Sequence, residues 1–214
     1  MLSIIIPACN EELYLEETIK SIKSQAYSKY EIIVVCDGCT DSTNYIAKRL
    51  ADKIVIIKER KGPAIAKNEG VKISKATKLV FLDADTKLTK NTLEEISKVL
   101  DKNYYGTCKI KPSNNKLKHR IMMSLKNLYP FPFTNGIIFC NKELFKKVNG
   151  FGDVKKGEDG RFVRKLSKNN KFVLLNTHVI NSTRRFDKLG YIKVGLYWTK
   201  EYLKPSNKDY SVIR

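Results

Sequence analysis

Apolar runs alternate with amphipathic segments along the first hundred residues of this chain. Residues 2–7, Leu-Ser-Ile-Ile-Ile-Pro, form the first run and end in proline. Residues 12–26 carry Leu13, Leu15, Ile19 and Ile22 at helical spacing behind paired acids, which predicts an amphipathic helix. A second apolar run covers 30–36. Asp37-Gly38 then signals a turn, and Thr40-Asp41-Ser42 offer caps for a helix ending near Leu50. Residues 52–57 read as a third strand, and Gly62-Pro63 opens a helix to about Ser74, with proline suited to its first turn. Residues 79–82 read as a fourth strand and 89–100 as a further helix. Strand–helix alternation with short connections predicts a Rossmann-like, mostly parallel central sheet with helices on both faces.

Beyond residue 101 the pattern loosens. Residues 104–110, 136–140 and 171–175 read as strands, and 142–148 and 158–167 as helices. Residues 114–128 are basic and interleaved with Met122, Met123 and Leu125. Residues 188–203 read as a helix in which Leu189, Tyr191, Ile192, Trp198 and Tyr202 alternate with lysines. No linker and no internal repeat separates the halves. The chain therefore reads as one domain over 1–214, with a first half at 1–101, a second half at 102–190 and an aromatic-basic helix and tail at 191–214. Its 214 residues suffice for one full core, and 42% hydrophobic content marks a globular chain.

Charge separates the halves further. The chain carries a net charge of +19, yet residues 1–101 hold 16 basic against 15 acidic side chains. Residues 102–126 hold seven basic and no acidic ones, and residues 161–214 hold thirteen against three. A neutral half and a basic half suggest an anionic partner for the second: anionic lipid, a lipid-linked phosphate or nucleic acid. A purely solubilising lysine surface is the alternative. No stretch approaches the roughly 20 apolar residues of a membrane span, and the first residues lack a basic leader. The expectation is a cytoplasmic protein, peripheral at most on an anionic membrane surface. Five cysteines at irregular spacing argue against a disulfide scaffold. Cys36-Asp37-Gly38-Cys39 has the form of a redox or zinc motif, but the favoured reading is two small residues filling a strand-to-turn junction.

Candidate chemistry begins at Asp83-Ala84-Asp85, where an apolar strand ends in two carboxylates. Ligands of open α/β sheets bind beyond such strand ends. Adjacent carboxylates repel unless they share a proton or a cation, and oxygen ligands suit Mg²⁺ or Mn²⁺. The same tripeptide would also serve as a cap for the helix that follows. No Gly-x-Gly-x-x-Gly and no P-loop motif occurs, so a dinucleotide or a P-loop triphosphatase is not indicated.

Five local patterns stand in order: Pro7-Ala8-Cys9-Asn10-Glu11, Asp37-Gly38-Cys39-Thr40-Asp41, Ala66-Lys67-Asn68-Glu69-Gly70, Asp83-Ala84-Asp85 and Gly157-Glu158-Asp159. Their order and spacing over residues 1–190 resemble the family 2 glycosyltransferases. That resemblance implies a GT-A fold with a smaller acceptor-side subregion, and a metal-dependent, inverting transfer from a UDP- or GDP-sugar to an acceptor hydroxyl or lipid phosphate. It implies that 1–101 bind the nucleotide sugar and 102–190 the acceptor. Pro7, Ala8, Asn10, Glu11, Asp37, Lys67, Asp83, Ala84, Arg184 and Arg185 would then contact the donor. Asp83 and Asp85 would hold Mg²⁺ or Mn²⁺, Asp159 would be the general base, and Glu158 would orient the acceptor or the base. Thr134-Asn135-Gly136 after Phe133, with Gly150-Phe151, resembles an acceptor-side segment. Departures are Cys36 in place of an aspartate, Cys39 in place of serine, and Phe186 in place of tryptophan after the arginine pair. His178 is read as a strand histidine rather than a metal ligand.

Two other classes remain as alternatives. A nucleotidyltransferase on a similar sheet would carry a glycine-rich basic loop after the first strand, where Pro7-Ala8-Cys9-Asn10 stands. A non-catalytic nucleic-acid binder would use the basic half and show steep salt dependence.

Overall fold

The computed structural model describes residues 1–128, 134–152, 157–168, 170–191 and 193–194. Its elements, in order, are β1 (Leu2–Ala8), α1 (Leu15–Lys23), β2 (Tyr30–Asp37), α2 (Thr43–Leu50), β3 (Lys53–Ile57), α3 (Pro63–Ile73), β4 (Lys78–Leu82) and β5 (Thr86–Leu88). There follow α4 (Thr92–Leu100), β6 (Tyr105–Pro112), α5 (Leu117–Asn127), β7 (Ile137–Asn141), α6 (Lys142–Lys147), α7 (Glu158–Ser167), β8 (Phe172–Asn181) and α8 (Arg184–Leu189).

The strands form one sheet in the order β3-β2-β1-β4-β7-β6-β8-β5 among the described residues. The first four run parallel, as the strand–helix alternation requires, with Ile4 facing Ile32 on β2 and Val80 on β4. β7 then pairs antiparallel with both β4 and β6, β6 runs parallel to β8, and β5 closes the edge antiparallel to β8. The sheet is thus mixed, with its parallel half at the N-terminus.

Continuous apolar strands such as Ile4-Ile5-Ile6 are buried on both faces. Ile4 and Ile6 point into one cluster with Leu15, Ile19 and Ile22 of α1, Ile46 of α2 and Leu93 and Ile96 of α4. Ile5 points the other way, to Ala66 of α3, Phe145 of α6, and Phe162 and Leu166 of α7. Two glycines set the spacing. A Cβ on Gly70 of α3 would meet Ile5 Cγ2 at 2.4 Å, and one on Gly106 of β6 would meet the Val173 carbonyl at 1.9 Å.

Several expected elements needed correction. The helix expected at 12–26 is shorter, because Glu11 to Tyr14 form a turn tied to the next loop. Residues 86–88, to which the sequence assigned no element, form β5. The strand expected at 171–175 continues to Asn181 because its second part pairs with β5 and β6. The unassigned basic stretch holds α5. α8 at Arg184–Leu189 was not expected and ends at Gly190, whose φ is 75°; most of the helix expected at 188–203 lies outside the described residues, as does Phe133.

Candidate active site

Asp83 leaves β4 in a tight turn. Its N–H donates to the Gly136 carbonyl at 2.9 Å, and its carbonyl accepts from the Thr86 N–H at 3.1 Å. Ala84 is buried, and its carbonyl accepts from Thr18 Oγ1 at 2.8 Å. The turn is therefore anchored through its backbone, leaving the flanking Asp83 and Asp85 carboxylates for other partners. Burial raises the pKa of both. Lys67 and Arg185 oppose the rise at Asp83, while Asp85 and Glu158 reinforce it. Arg184 and Arg185 oppose it at Asp85, while Glu11 reinforces it.

Lys67 projects from α3 and is 1% exposed. Its ammonium donates to Glu158 Oε1 at 2.9 Å and also to Asp159 Oδ1. Both acids open α7 after Gly157, whose φ of 65° lets the chain turn sharply into the helix. Beneath them lies an aromatic floor. The Lys67 ammonium is 5.1 Å from the Phe151 ring centroid, and Phe151 stacks on Phe162 at 4.2 Å and meets Phe81 edge-on at 4.9 Å. Asn68 locks Phe151 in place: its Nδ2 donates to the Phe151 carbonyl at 2.9 Å and its Oδ1 accepts the Phe151 N–H at 3.1 Å. The Ala-Lys-Asn-Glu-Gly pattern thus has physical content at four positions. Ala66 packs, Lys67 pairs with the acids, Asn68 clamps the loop, and Gly70 admits the sheet.

Burial pushes the Asp159 pKa up to about 7. Lys67 pulls it down, while Glu158 and Asp83 push with burial. Burial alone would neutralise Lys67, but Asp159, Glu158 and Asp83 hold it charged, with its pKa raised. Three carboxylates thus act on the Lys67 ammonium, and Arg185 and Lys126 also act on Asp83. Asp159 retains 20% side-chain exposure, which keeps its carboxylate open to the cleft.

A second cation enters from the far end of the chain. Arg184 forks onto Glu11, Nη1 to Oε2 at 3.0 Å and Nη2 to Oε1 at 2.8 Å, and its Nη2 lies 3.1 Å from Asp85 Oδ2. Its guanidinium also stacks over the Tyr14 ring at 4.7 Å. The expected donor contacts Glu11 and Arg184 are thereby brought together, with Asp85, as one cluster. Arg185 lies close enough to affect both aspartates electrostatically.

The remaining expected contacts form the rim around β1 and β2. Asp37 is buried, and its two oxygens accept the Lys61 and Gly62 N–H groups at 2.8 and 2.7 Å, fixing the loop that opens α3. A carboxylate has lone pairs left for a further donor. Asn10, at φ 57°, spends its Oδ1 on the Thr40 and Asp41 N–H groups at 2.7 and 3.3 Å, so its side chain clamps two loops. The Glu11 N–H donates to Thr43 Oγ1 at 2.8 Å in the same clamp. Ala8 is buried and Pro7 partly so. Cys39 donates to the Ala8 carbonyl at 3.3 Å, and all five cysteines are free. His178 sits in β8 opposite Lys109, as a strand residue.

Lys126 of α5 was missed. It donates to the Thr134 carbonyl at 3.0 Å, and burial lowers its pKa to about 8 against the pull of Asp83. Nothing near Lys126 in the sequence marks it, because it is one lysine in a basic stretch.

No described group of three or more His, Cys, Asp or Glu side chains is arranged to hold a metal ion. Asp83 and Asp85 nevertheless fit a divalent cation. Burial raises the pKa of both, neighbouring cations oppose the rise, and a guanidinium already stands against Asp85. Mg²⁺ and Mn²⁺ bound by one or two carboxylates take their other ligands from water and phosphate oxygens.

The family model for glycosyl transferase family 2 matches residues 3–150. The chain belongs to this family. The match takes in the motifs at 7–11, 37–41, 66–70 and 83–85, and stops short of Glu158-Asp159 and Arg184. Among relatives of this family-2 chain, a GalNAc(5)-diNAcBac-PP-undecaprenol beta-1,3-glucosyltransferase of Campylobacter jejuni is 31% identical over 126 residues, 55% of this chain and 41% of that protein. A putative teichuronic acid biosynthesis glycosyltransferase of Bacillus subtilis is 31% identical over 100 residues, 44% of this chain and 40% of that protein. The chain spans less than half the length of these relatives. Solved structures agree on the fold. TarS of S. aureus in complex with UDP-GlcNAc superposes at a TM-score of 0.67 and 22% identity, covering 85% of this chain and 58% of that one. A mannosyltransferase of Pyrobaculum calidifontis in complex with GDP-Man and Mn²⁺ superposes at 0.71 and 20% identity, covering 93% and 64%. The mixed sheet with helices on both faces is the GT-A fold.

Proposed function

We propose that the protein is a metal-dependent, inverting glycosyltransferase. It moves a sugar from a UDP- or GDP-sugar to an acceptor hydroxyl or a lipid-linked phosphate. The observation that carries this reading is the meeting of two sites at one cleft: the Asp83/Asp85 pair at the end of β4, and Asp159 beside Lys67.

In this reading residues 1–101 bind the donor. The base lies against Pro7 and Ala8, with Asp37 accepting a base N–H through a remaining lone pair. Asn10 acts by holding this rim in shape, and Glu11 accepts from the ribose. Ala84 sets the spacing of the aspartates. Asp83 and Asp85 would hold Mg²⁺ or Mn²⁺, which when bound supplies charge neutralisation for the leaving nucleoside diphosphate. Arg184 and Arg185 exchange their carboxylate partners for diphosphate oxygens, which suit guanidinium forks.

Residues 102–190 face the acceptor. Asp159 takes the proton of the acceptor hydroxyl, whose oxygen attacks the anomeric carbon opposite the diphosphate. The carbon–oxygen bond to the diphosphate breaks, and the anomeric configuration inverts. A pKa of about 7 suits a base that must accept a proton near neutrality and yet be ionised beforehand. Glu158 and Lys67 orient it. The support for a carrier-linked acceptor is the polyprenol-linked substrate in the name of the Campylobacter relative. No described helix is long and apolar enough to cross a membrane.

Titration calorimetry with UDP- and GDP-sugars in the presence of Mn²⁺ tests the donor half. Asp159→Asn tests the base: donor affinity is retained and transfer is lost. Failure of the folded wild-type protein to bind any nucleotide sugar refutes the reading. Full transfer by Asp159→Asn removes Asp159 as base.

A further inference from the structure

Helix α5 is attached to the fold through one narrow edge. His119 and Met123, one turn apart, are its buried side chains. His119 Nε2 lies 3.2 Å from Asp187 Oδ1 and its Nδ1 meets the Tyr191 hydroxyl, so α8 and the residues after it grip this edge. Met123 joins the core cluster beneath β6.

The outer side of the helix is unlike an ordinary solvated face. Leu117, Ile121 and Leu125 recur every four residues, so they form one row, and Leu128 continues it. These four are between 51% and 78% exposed, and Met122 beside them is 42% exposed. Single exposed leucines need no explanation, but a contiguous row marks an interaction surface. Lys118 and Arg120 flank the row without an ion pair among the described residues, and Lys116 pairs with Asp187 at 3.2 Å. The surrounding stretch, residues 102–126, holds seven basic and no acidic side chains.

We propose that this face of α5 lies on an anionic lipid bilayer. Its aliphatic row enters the boundary between headgroups and acyl chains, and Lys118 and Arg120 sit at the level of the lipid phosphates. An apolar row bordered by basic residues is the composition of an interfacial helix. Charge decides against a second copy of the chain on this face, since that copy would bring the same basic stretch against this one. The placement is also oriented. Lys126 on another side of the helix reaches Thr134 and the electrostatic field of Asp83. A docked α5 thus brings the metal-binding end of the cleft close to the membrane surface. The sequence offered residues 188–204 either as such a face or as a helix packed to close the domain, with the packed helix favoured, and most of them lie outside the described residues. The described element that carries such a face is α5.

Co-sedimentation of the full chain with vesicles tests the proposal. The wild-type protein should bind vesicles containing phosphatidylglycerol about ten-fold or more tighter than pure phosphatidylcholine vesicles, with the preference fading in high salt. Ile121→Ser with Leu125→Ser should weaken binding to both vesicle types by about ten-fold. Lys118→Gln with Arg120→Gln should remove the preference for phosphatidylglycerol. All four side chains are exposed, so the circular dichroism spectrum and melting temperature of each variant should match the parent. Wild-type protein that ignores phosphatidylglycerol vesicles overturns the proposal. So does binding that survives both double variants, or a dimer in light scattering that Ile121→Ser with Leu125→Ser dissociates. Nucleotide-sugar titrations on the same proteins keep the two readings apart. A chain that binds donor but no vesicle refutes the membrane face alone.

Discussion

Lys67→Met tests whether the buried ammonium tunes Asp159. Methionine keeps the length and the apolar stem of the side chain, which runs over Phe151, and deletes the charge that meets Glu158 and Asp159. Removing one partner of a buried ion pair costs roughly 3–5 kcal/mol, because the other is left uncompensated. The two acids recover part of that cost by taking up a proton. Asp159 already stands at about 7 through burial, with Lys67 the chief pull downward. Without that pull its pKa rises. Each unit of rise is worth about 1.36 kcal/mol, so two units correspond to about 2.7 kcal/mol, within the cost of the broken pair. In the parent about half of the Asp159 carboxylates are ionised at pH 7, and a two-unit rise leaves about one in a hundred. Transfer at pH 7 should then fall about fifty-fold, and the acidic limb of the kcat/KM profile should move to higher pH by a similar interval. The assay is kcat/KM across the pH range in which circular dichroism shows the variant folded, with donor affinity measured in parallel. Lys67→Arg, which keeps the charge, should return the limb towards its original position. An unmoved acidic limb in a folded Lys67→Met protein would refute the tuning role. A loss confined to donor affinity would reassign Lys67 to the diphosphate.

Two further outcomes follow from particular contacts. Arg184 stands as an internal cation against Glu11 and Asp85, so Arg184→Ala should tighten Mn²⁺ binding in the absence of nucleotide while weakening nucleotide-sugar binding. Electron paramagnetic resonance of free Mn²⁺ and donor titration read the two effects, and unchanged Mn²⁺ affinity would deny the competition. Gly106→Ala drives a Cβ to 1.9 Å from the Val173 carbonyl between β6 and β8, so the strands must part. The cost should be about 2 kcal/mol or more, seen as a lowered melting temperature, and a variant as stable as the parent would show that the strands yield freely.

The family and the order of its motifs were legible before any coordinates. The first four strands and the helices between them sit within a few residues of where periodicity put them, because each apolar run is buried on both faces and each helix has one apolar stripe. The second half was legible in part. β5 spans three residues, Thr86–Leu88, too few to carry a pattern, and exists because β8 pairs with it and Ser21 Oγ accepts the Leu88 N–H at 2.9 Å. β8 runs six residues past its apolar start, to Asn181, because that part pairs with β5 and β6. α5 carries a helical row at Leu117, Ile121, Leu125 and Leu128, and only the structure decided that this row faces outward while His119 and Met123 face the fold.

By itself the sequence determined which residues carry acid, amide and charge at the ends of elements, since turns and strand ends are local events. Only the tertiary structure decided their partners. Lys67 meets Glu158 and Asp159 across more than ninety positions, and Arg184 returns from near the end of the described chain to Glu11 and Asp85. Such pairs depend on how α7 and α8 pack against the first half, and local pattern carries no record of that packing. The Asp159 pKa belongs to this second kind of fact. Its cause is burial above the Phe151 and Phe162 rings among neighbouring charges, and burial is a property of the whole fold.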